Sequence, residues 1–187
     1  SVWAAGPQSG GGGKPGGSGG SSSSSVSWQG AVTFTSAASE TGKSYSSTTA
    51  DQNAVLINTS GTVTLTDAEV TKTGGTSASD TYSFYGINSA VMVKGGAVAY
   101  INGGSVTTDA AGANGIFSYG ANSGSTNSQG DGTTVYVTDT VITTTGSGSG
   151  GIMTTYGGTT IAKNLTVTTS GGSSAPIRTD RGGGWVT

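Results

Sequence analysis

An all-β fold, built as a solenoid of stacked parallel strands, is what the sequence predicts, on three observations. The first is a recurring phrase: Val70-Thr71-Lys72-Thr73, Val106-Thr107-Thr108, Ile142-Thr143-Thr144-Thr145 and Val167-Thr168-Thr169, with steps of 36, 36 and 25 residues. A fixed phrase with variable filler is how a solenoid reads in sequence, each copy being one strand about 4.8 Å from the next. The second is composition. Among 187 residues only 9% are charged and 36 are glycine; Thr and Val are stiff at the β-carbon and favour strands, and glycine supplies the bends. The third is the spacing of equivalent segments a full coil apart, which demands parallel rather than hairpin pairing.

Residues 1–25 are a low-complexity Gly/Ser-rich stretch with almost nothing to fill a core, and read as a disordered leader or tether. The glycines around Lys14 lack the GxxxxGK[ST] spacing of a phosphate-binding loop. Residues 26–187 are the repeat domain. Alternation or near-continuous apolar runs mark strands at 31–35, 54–57, 62–66, 90–93, 97–101, 134–137 and 160–162. The segments at 97–101, 134–137 and 160–162 repeat that at 62–66, and a Val-Thr phrase follows each of the four after a short bend. A third phrase closes each turn, Tyr85-Gly86, Tyr119-Gly120, Tyr156-Gly157 and Arg181-Gly182, preceded by Phe84, Ile116-Phe117, Ile152-Met153 and Ile177. One coil then holds three strands and three bends.

The expected inward files are Val70, Val106, Ile142 and Val167 on one face and Val63, Val98, Val135 and Ile161 on the next. Thr71, Thr107, Thr143 and Thr168 face outward, and Lys163 breaks the second inward pattern. Polar loops are expected at 74–81 and 121–131, the latter as a recognition loop. Trp185-Val186-Thr187 reads as the opening of a further coil, so the domain is expected to continue past residue 187 or to associate through its open end.

At these phrases, over roughly residues 54–184, the chain resembles the parallel β-helix, in particular the adhesin-like repeat proteins of bacterial surfaces. GTVTLTDAEVTKTG, GAVAYINGGSVTTDAAGANGIFSYG, TTVYVTDTVITTTGSGSGGIMTTYGG and TTIAKNLTVTTSGGSSAPIRTDRGG carry the resemblance. It implies a right-handed parallel β-helix of about four to six coils. It further implies a secreted or cell-surface, non-enzymatic module acting as a rod, a glycan- or protein-binding surface, or a unit of a fibre. Related β-helices include polysaccharide lyases, glycosidases and ice-binding proteins, and fold alone does not choose among them.

Composition narrows the chemistry. Neither cysteine nor histidine is present, which excludes disulfides, thiolate zinc sites, cysteine nucleophiles, His-dependent triads and the HExxH motif within this chain. A net charge of −2 offers no basic patch for nucleic acid, and no apolar run is long enough to span a bilayer as a helix. No metal and no cofactor is expected.

The candidate binding residues are Tyr85, Tyr119, Tyr156, Arg178, Asp180 and Arg181. Stacked coils would align the tyrosines, and two readings stand: an exposed strip on which sugar rings stack, or a packed corner ladder, the commoner use of such rings. Arg178, Asp180 and Arg181 form the one dense charge cluster, with Arg178 and Asp180 on the same side of a strand. A glycosidase or lyase would need paired acids, for which Asp109, Asp131, Asp139 and Asp180 are the candidates; Asp67, Asp109 and Asp139 sit near bends, where aspartate bonds local amides. The outward threonines admit an ice-binding reading against plain β-propensity. Asn58-Thr59-Ser60 and Asn164-Leu165-Thr166 match the glycosylation pattern, as chance alone would allow in so Ser/Thr-rich a chain.

Overall fold

The computed structural model describes residues 25–77, 79–122 and 129–187. The expected leader to residue 24, and residues 123–128 of the expected recognition loop, lie outside them. Within them the chain winds through β1 (Gly30–Phe34), β2 (Ala38–Thr41), β3 (Ser44–Ser47), β4 (Asn53–Asn58), β5 (Thr62–Thr66) and β6 (Glu69–Lys72). After a helix α1 (Ser79–Tyr85) come β7 (Val91–Lys94), β8 (Val98–Asn102), β9 (Ser105–Thr108), β10 (Ile116–Tyr119), β11 (Thr134–Thr138) and β12 (Val141–Thr144). The last strands are β13 (Ile152–Thr155), β14 (Gly158–Lys163), β15 (Thr166–Thr169), β16 (Ile177–Asp180) and β17 (Gly184–Val186).

Every third strand joins the same sheet. The first sheet runs β1-β4-β7-β10-β13-β16, the second β2-β5-β8-β11-β14-β17 and the third β3-β6-β9-β12-β15. All pairings are parallel. The fold is thus an all-β solenoid of three parallel sheets, with five complete coils and a sixth begun by β16 and β17. Among the described residues it carries one short helix, whose start falls in the polar loop expected at 74–81 and whose Phe84-Tyr85 end falls in an expected turn-closing phrase.

The third sheet matches expectation. Tyr45, Val70, Val106, Ile142 and Val167 pair in one inward file, and all but the half-buried Val167 are buried. The outward file of Thr71, Thr107, Thr143 and Thr168 also forms in register. Its neighbouring outward file is mixed, Glu69, Ser105, Val141 and Thr166, so the threonines make a single file rather than a two-dimensional array.

The second sheet corrects the expected inward set. Val63 pairs with Ala99, Ala99 with Val135 and Val135 with Thr160, while Leu65, Ile101, Val137 and Ala162 form the second inward file. Val98 pairs with Thr62 and Thr134, and Ile161 with Tyr136; both are outward and half-buried. A one-residue slip in a strand moves every side chain to the other face, and alignment on the most apolar residue made that slip in β8 and β14. With the register restored, Lys163 joins the outward file of Thr66, Asn102 and Thr138, is exposed, and breaks nothing. The outward tyrosines Tyr100 and Tyr136 stack at 4.8 Å and 9°.

Bends repeat as faithfully as strands. Between the second and third sheets the chain turns through Gly42, Asp67, Gly103, Asp139 and Asn164, all with φ between 51° and 70°. Asp and Asn tolerate this left-handed conformation better than other side-chain-bearing residues. The amide of Gly42 donates to Thr66 O, that of Asp67 to Asn102 O, that of Gly103 to Thr138 O and that of Asp139 to Lys163 O, so each bend is tied to the coil above. At the corner from the third sheet to the first, Thr108, Thr144 and Thr169 donate to the carbonyls of Ala113, Ser149 and Ser174, each five residues ahead.

Backbone packs directly on backbone in this corner. A β-carbon on Gly146 would lie 1.9 Å from Ala110 O, and one on Gly171 1.9 Å from Gly146 O. Neither neighbour is a flexible side chain. We expect Gly146→Ala to cost about 3 kcal/mol, the upper range for overpacking, read as a shift of the urea unfolding midpoint; a change within about 0.5 kcal/mol, the usual surface value, would refute this tight stacking.

The interior is one aliphatic cluster, from Tyr45, Val55 and Ile57 through Val91, Ile101 and Val106 to Ile142 and Ile152. In the fifth coil it gains polar members, the Thr154 and Thr160 hydroxyls bonding each other at 2.9 Å beside Ile152 and the half-buried Ala162, Leu165 and Val167. From β4 to β13 the first sheet is buried on both faces, whereas β1 and β16 are largely exposed. Its outward file Leu56, Met92, Phe117 and Met153 forms a second apolar cluster against which Trp28 and Tyr119 pack. That explains why β4 and β7 read as nearly continuous apolar runs rather than alternating ones.

Candidate functional site

The outer face of the first sheet is where the regular cylinder is roofed. The roof is α1, seven residues long, too short to be stable alone. Side chains of the coils hold its last carbonyls: Asn114 Nδ2 donates to Tyr82 O at 3.1 Å, Thr155 Oγ1 to Phe84 O at 2.8 Å and Trp28 Nε1 to Tyr85 O at 2.6 Å. These are the C-terminal acceptors a helix cannot satisfy internally. Gly86, at φ 66°, ends the helix in the left-handed conformation usual there, and Asp80 sits in its first turn, the favourable end for a carboxylate. Tyr85-Gly86 is therefore a helix end, and the coil's own first-sheet strand is β7. The expected equivalence of Tyr85-Gly86 with Tyr119-Gly120 does not hold.

Nor do the other two tyrosines share a file. Tyr119 pairs with Thr155, which pairs in turn with Asp180, and Tyr156 follows Thr155 in a left-handed bend at φ 52°. Yet the rings meet. Tyr85 stacks on Tyr156 at 5.1 Å, Tyr119 lies 5.2 Å from Tyr156 and 5.8 Å from Tyr85, and Trp28 lies 5.1 Å from Tyr119 and 6.3 Å from Tyr85. The cluster stands outside the aliphatic interior, on the outward side of β10. Tyr156 is its buried base at 6% exposure; Trp28, Tyr85 and Tyr119 are half-buried. Trp28 was missed by the sequence reading because it precedes the first repeat, with no equivalent a coil away to mark it.

A cation borders each end of the rings. Lys94 Nζ lies 4.3 Å from the Trp28 ring centre, and the Arg181 guanidinium 4.0 Å from that of Phe84. Such contacts are attractive through the ring quadrupole. Burial lowers the Lys94 pKa, against the pull of the Asp131 carboxylate. Burial raises the phenol pKa of Tyr119, helped by Tyr85 and Asp131, and that of Tyr156, helped by the Tyr85 side chain.

The charge cluster is divided by the structure. Arg178 pairs with Asp180, whose other oxygen accepts the Arg181 amide at 2.8 Å, while the Arg181 side chain turns to Phe84 and to Asp80 at 4.0 Å. Only Arg181 of the three borders the rings. Arg178 instead lines a cavity of about 70 Å³ beneath α1, with Tyr82, Asn114 and Met153.

The other candidate acids are each held by a hydrogen bond, Asp131 within its own turn and Asp109 and Asp139 by side chains one coil on. Asp131 accepts from the amide and hydroxyl of Thr133, Asp109 accepts from Thr145 Oγ1, and Asp139 accepts from Asn164 Nδ2. A wider groove of about 550 Å³ between Gln129, Asp131, Thr159 and the exposed Trp185 lies beside them. Among the described residues no three of His, Cys, Asp or Glu are grouped to hold a metal, and no helix is long and apolar enough to cross a membrane.

The fold and the ring cluster define the class: a parallel β-solenoid with one ornamented outer face. No protein-family model, curated protein or solved structure matched the chain.

Proposed function

We propose that this chain is a secreted or cell-surface β-helix module, adhesin-like and wound right-handed as parallel crossovers almost always are, that binds glycan on the outer face of its first sheet. The rod supplies length without a new core, since every coil repeats the same bonding. The observation that carries the reading is the half-buried group Trp28, Tyr85 and Tyr119 seated on Tyr156, with Lys94 and Arg181 at its edges. Aromatic faces beside fixed charges suit the mixed apolar and polar faces of a sugar. The single file of outward threonines supports a lattice-matched ice surface less well, because its neighbour carries Glu69 and Val141.

Tyr119→Ala tests the reading. Three ring contacts are lost, each worth about 0.5–1.5 kcal/mol, so a loss of stability is expected. Binding to a glycan array hit should weaken by about tenfold, the equivalent of one such contact, while Tyr119→Phe keeps both properties. Absence of any glycan binding by the wild-type protein at millimolar concentration, or a Tyr119→Ala protein that binds as before, would overturn it.

A further inference from the structure

We infer that the saccharide taken by this face is anionic, its acid group received by the Lys94 ammonium while its ring lies on the neighbouring aromatics. The inference rests on the glycan reading above and adds the ligand class.

Lys94 ends β7, in register with Asn58, and is half-buried. An ammonium carries three donors. One side of this one is turned to the Trp28 ring at 4.3 Å. Among the described residues the other cations are otherwise disposed: Lys72 donates to three carbonyls, Arg178 and Arg181 have carboxylates within 4.0 Å, and Lys43 and Lys163 are exposed to solvent. Among the described residues Lys94 alone is partly buried with neither a carboxylate within 4.0 Å nor a carbonyl accepting from it. The Asp131 carboxylate acts on it from beyond ion-pair range.

Partial burial leaves the ammonium less well hydrated than in free solution, which is unfavourable for a charge with no carboxylate in ion-pair range, and a bound anion reverses that by forming charge-assisted hydrogen bonds. Lys94 covers one face of Trp28, so the sugar would lie on the adjoining Tyr119 ring, 5.1 Å from that of Trp28, with its acid substituent reaching the ammonium. Carboxylate and sulfate share this chemistry. A neutral sugar would leave the ammonium as it is.

The test is calorimetric titration of the full chain, at low and at physiological salt, with a tetragalacturonate, a sulfated tetrasaccharide and a neutral tetrasaccharide. The expected result is binding of one or both acidic probes at least about tenfold tighter than the neutral one, in line with hydrogen bonds to charged groups. That binding should weaken with salt, fall by about tenfold or more in Lys94→Gln, and persist in Lys94→Arg. Preference for the carboxylate or for the sulfate probe names the acid group. If Lys94→Gln does not fold, the salt dependence and the wild-type preference for acid over neutral probe decide. Equal affinity for acidic and neutral probes, or acid binding untouched in a folded Lys94→Gln, overturns the inference and leaves the glycan reading standing. No binding of any probe overturns both.

Discussion

Phe117→Ala should cost about 3–5 kcal/mol, the range for removing a buried aromatic ring. Phe117 is fully buried although it points away from the interior of the solenoid. On β10 it sits between Met92 and Met153 in register. The backbone of Gly86 covers it so closely that a β-carbon there would meet the ring at 2.6 Å. Removing the ring opens space under the C-terminal end of α1. The two methionines are flexible enough to fill part of it, which places the expected cost nearer 3 than 5 kcal/mol. Ile142→Val, within the aliphatic interior, should cost only about 0.5–1.5 kcal/mol. The measurement is urea unfolding of both variants. Because Tyr85 and Tyr119 rest on the same cluster, Phe117→Ala should also weaken binding at the face above. A loss below about 1 kcal/mol, less than core truncations give, would mean that the outer cluster is not packed in solution.

Much of the architecture was legible because a solenoid repeats its signals. The Val-Thr phrases gave the third sheet its register, and the 36-residue step from Ala54 to Ala90 matches the observed pairing of β4 with β7. The error in the second sheet shows what the pattern hides. Interior positions there are taken by Ala99, Ala162 and Thr160, small or hydroxylated, while Val98 and Ile161 lie outside. Hydrophobicity therefore points to the wrong residues. The bends carried the better signal: counting back from the left-handed Asp67, Gly103, Asp139 and Asn164 gives the register directly. Asn102-Gly103, a dipeptide that elsewhere marks hairpins, is one of these bends.

The helix and the ring cluster were less visible for a different reason. Residues 79–85 read SDTYSFY, too short and too poor in helix formers to announce a helix. Packing imposes it, through Asn114, Thr155 and Trp28. Tyr85, Tyr119 and Tyr156 were found by a repeat argument that does not hold in detail. They nevertheless converge, because insertion and bend bring unlike positions onto one patch.

Between about pH 8 and pH 10 the protein should become more stable, and Lys72 is the main cause. Lys72 lies in the inward file with Ser47, Thr108 and Thr144 and is 1% exposed. Where the threonines reach a carbonyl five residues on, the coil bearing α1 has no such short corner. The ammonium instead gathers Thr49 O at 2.7 Å, Thr73 O at 2.6 Å and Gly74 O at 3.2 Å. Burial lowers its pKa to about 8, partly offset by the Asp51 carboxylate. An unfolded lysine keeps its proton to about pH 10.4. Over that window the unfolded state binds more protons than the folded one, so stability rises with pH. The full span corresponds to about 3 kcal/mol. Lys94, shifted in the same direction, adds to it. Above pH 10 the sign reverses, because Tyr45, Tyr119 and Tyr156 hold their protons longer when folded than when unfolded. The expected profile is a rise from pH 8, a maximum near pH 10 and a fall beyond. Lys72→Met removes most of the rise. At pH 7 it should also be destabilising by about 2 kcal/mol, since orphaned buried acceptors cost more than the relieved charge returns. Urea midpoints measured from pH 7 to pH 10.5 on both proteins decide the matter. A flat wild-type curve, or the same slope in Lys72→Met, would show that the ammonium stays charged in its three-carbonyl seat throughout.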